Sequence, residues 1–116
     1  KRLPGGKGRI MNGIYHVDFA SPLGSGSGTV YLENGIMRGG DAVIAYHGTY
    51  ALTGDTVRAD VSLIKHGAGF SVLGDATNFS LLGKVTGNGI KGTGTVPGVP
   101  LQAQISLRKV GELQQK

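Results

Sequence analysis

The sequence predicts an all-β fold: a single-domain, eight-stranded antiparallel β-barrel of up-and-down connectivity. Glycine accounts for 22 of the 116 residues, well above the average of about 7%, and it leaves few segments long enough for a stable helix. Apolar and polar residues alternate with a period of two in about eight short segments, which is typical of half-buried strands. Tight turns join most of these segments, and closure into a barrel removes the exposed edges of such a meander.

The first three strands are predicted by alternation and by one hairpin signal. In residues 15–19 the odd positions are apolar and the even positions are polar. Residues 29–33 lead into Asn34 and Gly35, and residues 36–38 follow. Asn-Gly favours a type I′ turn, because both central residues of that turn need positive φ. We therefore expect the second and third strands to form a hairpin.

The fourth and fifth strands carry the clearest alternation in the chain. In residues 44–52 the even positions form one face, and a turn at Gly54 and Asp55 follows. The fifth strand is predicted to place four apolar residues inward, with polar residues between them. These inward residues are Val57, Ala59, Val61 and Leu63.

The second half of the chain supplies three further strands after a longer connection. Residues 66–78 form this connection, and a short helical turn is expected near residues 69–74. Strands are predicted at residues 79–85, 90–96 and 101–107. The organisation expected is a flexible basic arm or expression-vector remnant at 1–10, a barrel domain at 11–110 and a polar C-terminal tail at 111–116.

The positive charge of the chain is concentrated at its start. The formal net charge is +5, and Lys1, Arg2, Lys7 and Arg9 contribute +4 of it. The rest of the chain is therefore nearly neutral, and it offers little to attract nucleic acid. No apolar run approaches about 18 residues, so no membrane-spanning helix is predicted. No apolar segment follows the basic start, so a secretion signal is not predicted, and a cytoplasmic location is expected.

No motif in the sequence predicts catalysis, a cofactor or a metal site. The chain has no cysteine, which excludes thiolate nucleophiles and cysteine-type zinc sites. His16, His47 and His66 fall on outward faces or at a strand end, where surface histidines are expected. The run GSGSG at residues 24–28 lacks the glycine spacing and following helix of a phosphate-binding loop. We interpret it as a flexible loop between the first two strands, and the protein is expected not to be an enzyme.

The inward face combines aromatic residues with unusually small ones. Glycines among them indicate either a tightly curled wall or an incompletely filled interior. An eight-stranded barrel can be filled by its own side chains or can hold one small ligand. Val30 and Leu32 are either outward residues available for self-association or further inward residues. The candidate cavity lining is Tyr15, Phe19, Tyr46, Tyr50, Phe79 and Leu81.

Several short motifs, in order, resemble the GrlR-like proteins, which are bacterial negative regulators associated with type III secretion. The resemblance runs from about residue 11 to residue 108. It rests on residues 13–15, residues 39–41, the Tyr-x-Gly-x-Tyr pattern from Tyr46 to Tyr50, and residues 71–75 before residues 79–81. The final motif is Gly92-Thr93-Gly94. Each motif is short, and their order and spacing carry the resemblance.

The resemblance implies a lipocalin-like barrel that is cytoplasmic and dimeric and that sequesters a transcriptional activator by protein–protein contact. In this family an acidic run after the Tyr-x-Gly strand engages the activator. The matching positions here are Leu52, Thr53, Gly54 and Asp55, of which one is acidic. A single carboxylate cannot steer a basic partner as four can. The resemblance thus implies a regulatory binding barrel, and the alternative is a carrier or sensor of a small apolar ligand.

Overall fold

The computed structural model describes residues 12–68, 76–98 and 102–113, and within them eight strands close into one antiparallel barrel. The predicted fold class is therefore confirmed. The predicted arm at 1–10, the helical turn near 69–74 and residues 114–116 lie outside the described residues. The strands are β1 (Gly13–Ser21), β2 (Gly24–Glu33), β3 (Ile36–Gly40), β4 (Ile44–Thr53), β5 (Thr56–Lys65), β6 (Asn78–Thr86), β7 (Gly89–Thr95) and β8 (Gln102–Gly111).

Each strand pairs with the next along the chain, and β8 pairs with β1 to close the barrel. Turns therefore alternate between two ends. We call the end with the β2–β3, β4–β5 and β6–β7 turns the lower end, and the opposite end the upper end. Asn12 precedes β1 at the lower end, where its side-chain oxygen accepts a hydrogen bond of 3.0 Å from the backbone N–H of Asn34. None of the described residues forms a helix that is long and apolar enough to cross a membrane.

The predicted Asn-Gly hairpin is present between β2 and β3. Asn34 has a φ of 52° and Gly35 a φ of 89°, as a type I′ turn requires. Glu33 and Ile36 flank this two-residue turn and are register partners. The turn therefore fixes which residues of β2 and β3 face each other, and hence which side chains enter the barrel.

The barrel interior is filled by alternate apolar residues of all eight strands. The four residues predicted to point inward from β5 are all buried, at 1–6% exposure. Val30 and Leu32 are also buried, at 3% and 0%, so they belong to the core and are not available for self-association. The buried core comprises Tyr15, Val17, Val30, Leu32, Met37, Ile44, Tyr46, Val57, Ala59, Val61, Leu63, Leu81, Ile90, Ala103, Ile105 and Leu107.

The interpretation of residues 24–28 as a loop is wrong, because these residues form the first half of β2. They pair with β1 in continuous register, from Ser21 opposite Gly24 to Val17 opposite Gly28. Glycine and serine carry no apolar alternation, so the run has no strand-like pattern of its own. Its pairing follows from the two-residue turn at Pro22 and Leu23, which extends the β1–β2 hairpin.

Glycines on the inward faces allow neighbouring strands to curl closely. Gly48 of β4 lies opposite Val61 of β5, and a β-carbon on Gly48 would lie 2.8 Å from the Cα of Val61. Gly92 of β7 and Gly83 of β6 are register partners in the same way, and a β-carbon on Gly92 would lie 2.6 Å from the Cα of Gly83. Of the two interpretations of the small residues, the tightly curled wall describes these positions.

Candidate functional site

A small apolar cavity lies in the described part of the barrel interior. Its volume is about 40 Å³. Pockets for drug-sized ligands hold about 300–1,000 Å³. Ten apolar or aromatic residues line the cavity: Val17, Phe19, Val30, Met37, Tyr46, Val61, Phe79, Leu81, Ile105 and Leu107.

Four of the six residues predicted to line a cavity do line it, and the two others lie below it. Phe19, Tyr46, Phe79 and Leu81 surround the cavity, and the rings of Phe19 and Tyr46 meet edge to face at 6.3 Å. Tyr15 and Tyr50 share the inward face but sit in the lower half. The hydroxyl of Tyr50 donates a long hydrogen bond of 3.4 Å to the side-chain oxygen of Asn12. The period of two predicts that these six side chains point inward. Their height along the barrel axis depends on strand register, which the sequence pattern does not give.

Tyr15 is the largest fully buried side chain of the lower half, at 1% exposure. Burial, together with the negative charge that Tyr50 and Glu112 can carry, raises the pKa of Tyr15 to about 12. Burial also raises the pKa of Tyr50. These two phenols therefore remain neutral at physiological pH, and they act as core residues with polar ends.

At the upper end, Asp41 organises the β3–β4 turn. Its Oδ1 accepts hydrogen bonds of 2.8 Å from the backbone N–H groups of Val43 and Ile44, and its Oδ2 accepts one from the hydroxyl of Tyr46. Burial alone would raise the pKa of Asp41. The hydrogen bonds from Tyr46, Ile44 and Val43, with the nearby His66, outweigh burial and hold this pKa below its usual value. Both oxygens of the Asp41 carboxylate thus accept hydrogen bonds that stabilise the β3–β4 turn.

The three histidines do not converge in the structure. His16 contacts the carboxylate of Asp18 at 3.0 Å on the outer wall of β1, and His47 is exposed on β4. The Nε2 atom of His66 lies 3.0 Å from the backbone oxygen of Asp41. Within residues 12–68, 76–98 and 102–113, no cluster of three or more metal-ligating side chains occurs.

The candidate partner-binding positions 52–55 lie at the lower end, where β4 turns into β5. Leu52 is half-buried and packs against the core, whereas Thr53, Gly54 and Asp55 are exposed. Asp55 lies 3.7 Å from the Nζ of Lys84, and its backbone oxygen accepts a hydrogen bond of 2.8 Å from the backbone N–H of Val85. The only carboxylate of this loop therefore faces a lysine, and the loop offers little negative potential.

A much larger concavity lies on the outer wall, across the four strands β2, β1, β8 and β7. It is shallow and open to solvent, with a volume of about 800 Å³, and we call it the outer groove. Its walls carry small polar side chains, with one carboxylate and one ammonium group. The residues that line it are Asp18, Phe19, Ala20, Ser25, Gly26, Ser27, Lys91, Gly92, Thr93, Gln104, Ile105 and Ser106.

Strand register explains the shape of the outer groove. Ser27, Asp18, Ser106 and Lys91 are successive register partners across the four strands, and they form one row of outward side chains. In the neighbouring row Phe19 and Ile105 point inward between Gly26 and Gly92. Because that row sends its side chains into the barrel, backbone forms the floor. The sequence does not predict this site, because residues 24–28 show no strand-like alternation and were expected to form a loop. The two-residue turn at Pro22 and Leu23 is the signal that could have revealed it.

A scan against protein-family models found no family that matches this chain, and a search of curated proteins found no relative.

Proposed function

We propose that this protein is a non-enzymatic regulatory barrel of the GrlR-like type, which binds a protein partner on its outer wall and thereby sequesters a transcriptional activator in the bacterial cytoplasm. The observation that carries the proposal is the contrast between the two concavities. The outer groove holds about 800 Å³, whereas the interior cavity lined by the described residues holds about 40 Å³. A binding barrel with a filled interior must engage its partner from outside.

The composition of the outer groove supports a polypeptide partner. Serine, threonine and glutamine side chains can donate and accept hydrogen bonds, and small side chains leave room for main chain to approach. Asp18 and Lys91 give the rim one charge of each sign, so neither a strongly acidic nor a strongly basic surface is favoured. The family's acidic docking loop is replaced here by positions 52–55, and the proposed docking surface is therefore the outer groove.

The apolar-ligand alternative receives no support from the interior. A fatty acid needs several times the volume of the cavity, and Phe19 and Phe79 would have to leave their positions to admit it. The resemblance also implies a homodimer, which light scattering can test. The proposed docking surface depends neither on the apolar ligand nor on the oligomeric state.

A transcription assay in bacterial cells tests the proposed function. A two-hybrid screen would present a library of bacterial activators to the barrel and would measure both the interaction and the activator-dependent reporter. We expect an activator whose reporter falls when the barrel is present. Ser106→Tyr, which projects a ring into the middle of the outer groove, should abolish the repression, and Ser62→Tyr on the outer wall of β5 is the matched control. Equal repression by both variants would contradict the proposed docking surface, and the absence of any repressed activator would contradict the function.

A further inference from the structure

Among the described residues, the first half of β2 has a strand partner on one side alone, at the upper end of the barrel. β2 has ten residues and β3 has five. β3 pairs with residues 29–33 of β2, the last pair being Thr29 with Gly40. Residues 24–28 pair with β1 on one side, and no described strand pairs with them on the other. The closure of the barrel therefore does not protect these five residues.

The main-chain groups that this edge presents follow from the hairpin. Residues that flank a two-residue turn form a hydrogen-bonded pair, and such pairs alternate along an antiparallel ladder. Glu33 and Ile36 flank the β2–β3 turn, so the odd-numbered residues of β2 bond toward β3. Ser25 and Ser27 continue this series beyond the end of β3. Their two N–H and two C=O groups consequently point toward the open side.

The usual protection of an edge strand is missing from this segment. Natural edges are blunted by lysine, proline, inward charges or bulges. Residues 24–28 contain glycine and serine alone, and their register with β1 runs without a shift. Ser25 and Ser27 are exposed. The segment thus combines small side chains with main-chain groups that pair with no other described strand, which is the arrangement that strand addition requires.

We propose that residues 24–28 of β2 accept an extended segment of the protein partner as an added β-strand. This inference rests on the proposed function and specifies how the partner docks. The added strand forms main-chain hydrogen bonds to Ser25 and Ser27, and residues flanking it continue into the outer groove, whose β2 wall is formed by the same residues.

The surroundings of the edge determine the chemistry of the added strand. Its outward side chains lie beside Ser25 and Ser27, where small polar residues fit. Its inward side chain meets Gly26, which has none, and faces the neighbourhood of Phe19, the register partner of Gly26. Phe19 is half-buried and lines both the outer groove and the interior cavity. An apolar residue at that inward position is therefore favoured.

The size of the edge favours a partner segment over a second copy of this barrel. Stable protein–protein interfaces bury about 1,200–2,000 Å². Five glycine and serine residues offer a rigid second barrel little side-chain area. An extended segment can follow the edge and then fill the outer groove of about 800 Å³, so it gains contacts that two rigid edges cannot make.

Peptide selection tests the added strand without knowledge of the natural partner. The probe is a phage-displayed library of random nine-residue peptides, selected on the wild-type barrel, and the best binder is then synthesised with a fluorescent label. Ser27→Pro removes one N–H that bonds to no described strand of the barrel, and proline is tolerated at such edge positions. Ser27→Ala is the matched control, because it keeps the N–H. We expect at least a tenfold loss of affinity for Ser27→Pro and less than a twofold change for Ser27→Ala, measured by fluorescence anisotropy.

Amide hydrogen exchange on the wild type gives an independent test if Ser27→Pro fails to fold. The amides of Ser25 and Ser27 should exchange at least tenfold more slowly with the peptide bound. Unchanged exchange at both amides, equal binding by Ser27→Pro, or no enriched peptide would each overturn the added strand. The proposed function would still be decided by the Ser106→Tyr transcription assay. A wild-type dimer that Ser27→Pro converts to a monomer would overturn the partner segment and assign the edge to a second copy.

Discussion

At the upper end of the barrel, the Asp41 carboxylate joins β3 to β4. It accepts hydrogen bonds from two backbone N–H groups and from the hydroxyl of Tyr46. Hydrogen bonds to a charged acceptor are stronger than those between neutral groups. Its depressed pKa means that the folded barrel binds a proton at Asp41 more weakly than the unfolded chain does. The contribution of Asp41 to stability is therefore present above the unfolded pKa, near 3.9, and is lost as pH falls below it.

Asp41→Asn should reduce stability at neutral pH and weaken its dependence on acid. The amide keeps one acceptor oxygen, but its NH₂ group meets a hydroxyl that had donated to the carboxylate. We expect a loss of about 1–3 kcal/mol in the free energy of unfolding at pH 7, and a smaller loss between pH 5 and pH 2.5 than in the wild type. Urea unfolding at both pH values measures this. Asp55→Asn is the control, and an acid dependence unchanged in Asp41→Asn would contradict the role of this carboxylate.

Tyr15 gives the corresponding effect at high pH. Its pKa is raised to about 12, above the value near 10 of an unfolded tyrosine. Its stabilising contribution is full below pH 10 and is lost as pH rises from about 10 to 12. We expect the Tm of the wild type to fall more steeply between pH 9.5 and pH 11 than the Tm of Tyr15→Phe. Tyr31→Phe, at a residue 48% exposed on β2, is the control. Parallel Tm curves for wild type and Tyr15→Phe would contradict the prediction.

At the scale of the strands, alternation identified every element that has an apolar face. Between Val57 and Leu63, β5 was predicted residue by residue, because the inward positions there are apolar and the outward ones polar; the exposed Ile64 near its end departs from this pattern. The first half of β2 was not, because glycine and serine give no contrast between its faces. The open edge of β2 arises because β3 is shorter than β2. This difference follows from the register of β3 with β2 and β4. The extent of β2 and its open edge both arise from pairing between strands. Neither produces a periodic pattern in the sequence of a single strand.

Close strand contact at Gly48 makes a prediction for β4. A β-carbon there would lie 2.8 Å from the Cα of Val61 on β5, which real β-carbons do not approach. Gly48→Val should therefore push the two strands apart and destabilise the barrel by about 2 kcal/mol or more. Ala51→Val adds the same kind of side chain on the exposed face of β4 and should change stability by less than about 0.5 kcal/mol. Thermal unfolding compares them, and a Gly48→Val variant as stable as the wild type would contradict the close packing.

At the scale of the whole barrel, two features determine how much room the interior leaves for a ligand. These are how closely the strands approach each other and how completely the side chains pack between them. Glycines at the strand contacts let neighbouring strands approach closely, and aliphatic and aromatic side chains pack the interior between them. The sequence predicted both the inward glycines and the inward aromatic residues. The volume that they leave inside the barrel could not be predicted, because it depends on how the eight strands close. The cavity of about 40 Å³ is the space that remains between these strands and side chains. The proposed binding surface is consequently on the outer wall, where Ser25, Gly26 and Ser27 of β2 belong both to the outer groove and to the open edge.

The same packing predicts how the interior responds when a ring is removed. Phe79 lines the upper cavity and packs against the core, so Phe79→Ala should enlarge the cavity toward the size of about 150 Å³ that admits benzene in engineered proteins. We expect a loss of about 3 kcal/mol in the free energy of unfolding, with benzene raising the Tm of the variant and leaving that of the wild type unchanged. Leu82→Ala, at a residue 50% exposed on the same strand, should respond like the wild type. A wild-type barrel that binds a fluorescent fatty acid at micromolar concentration would show that its interior opens, and it would restore the apolar-ligand alternative.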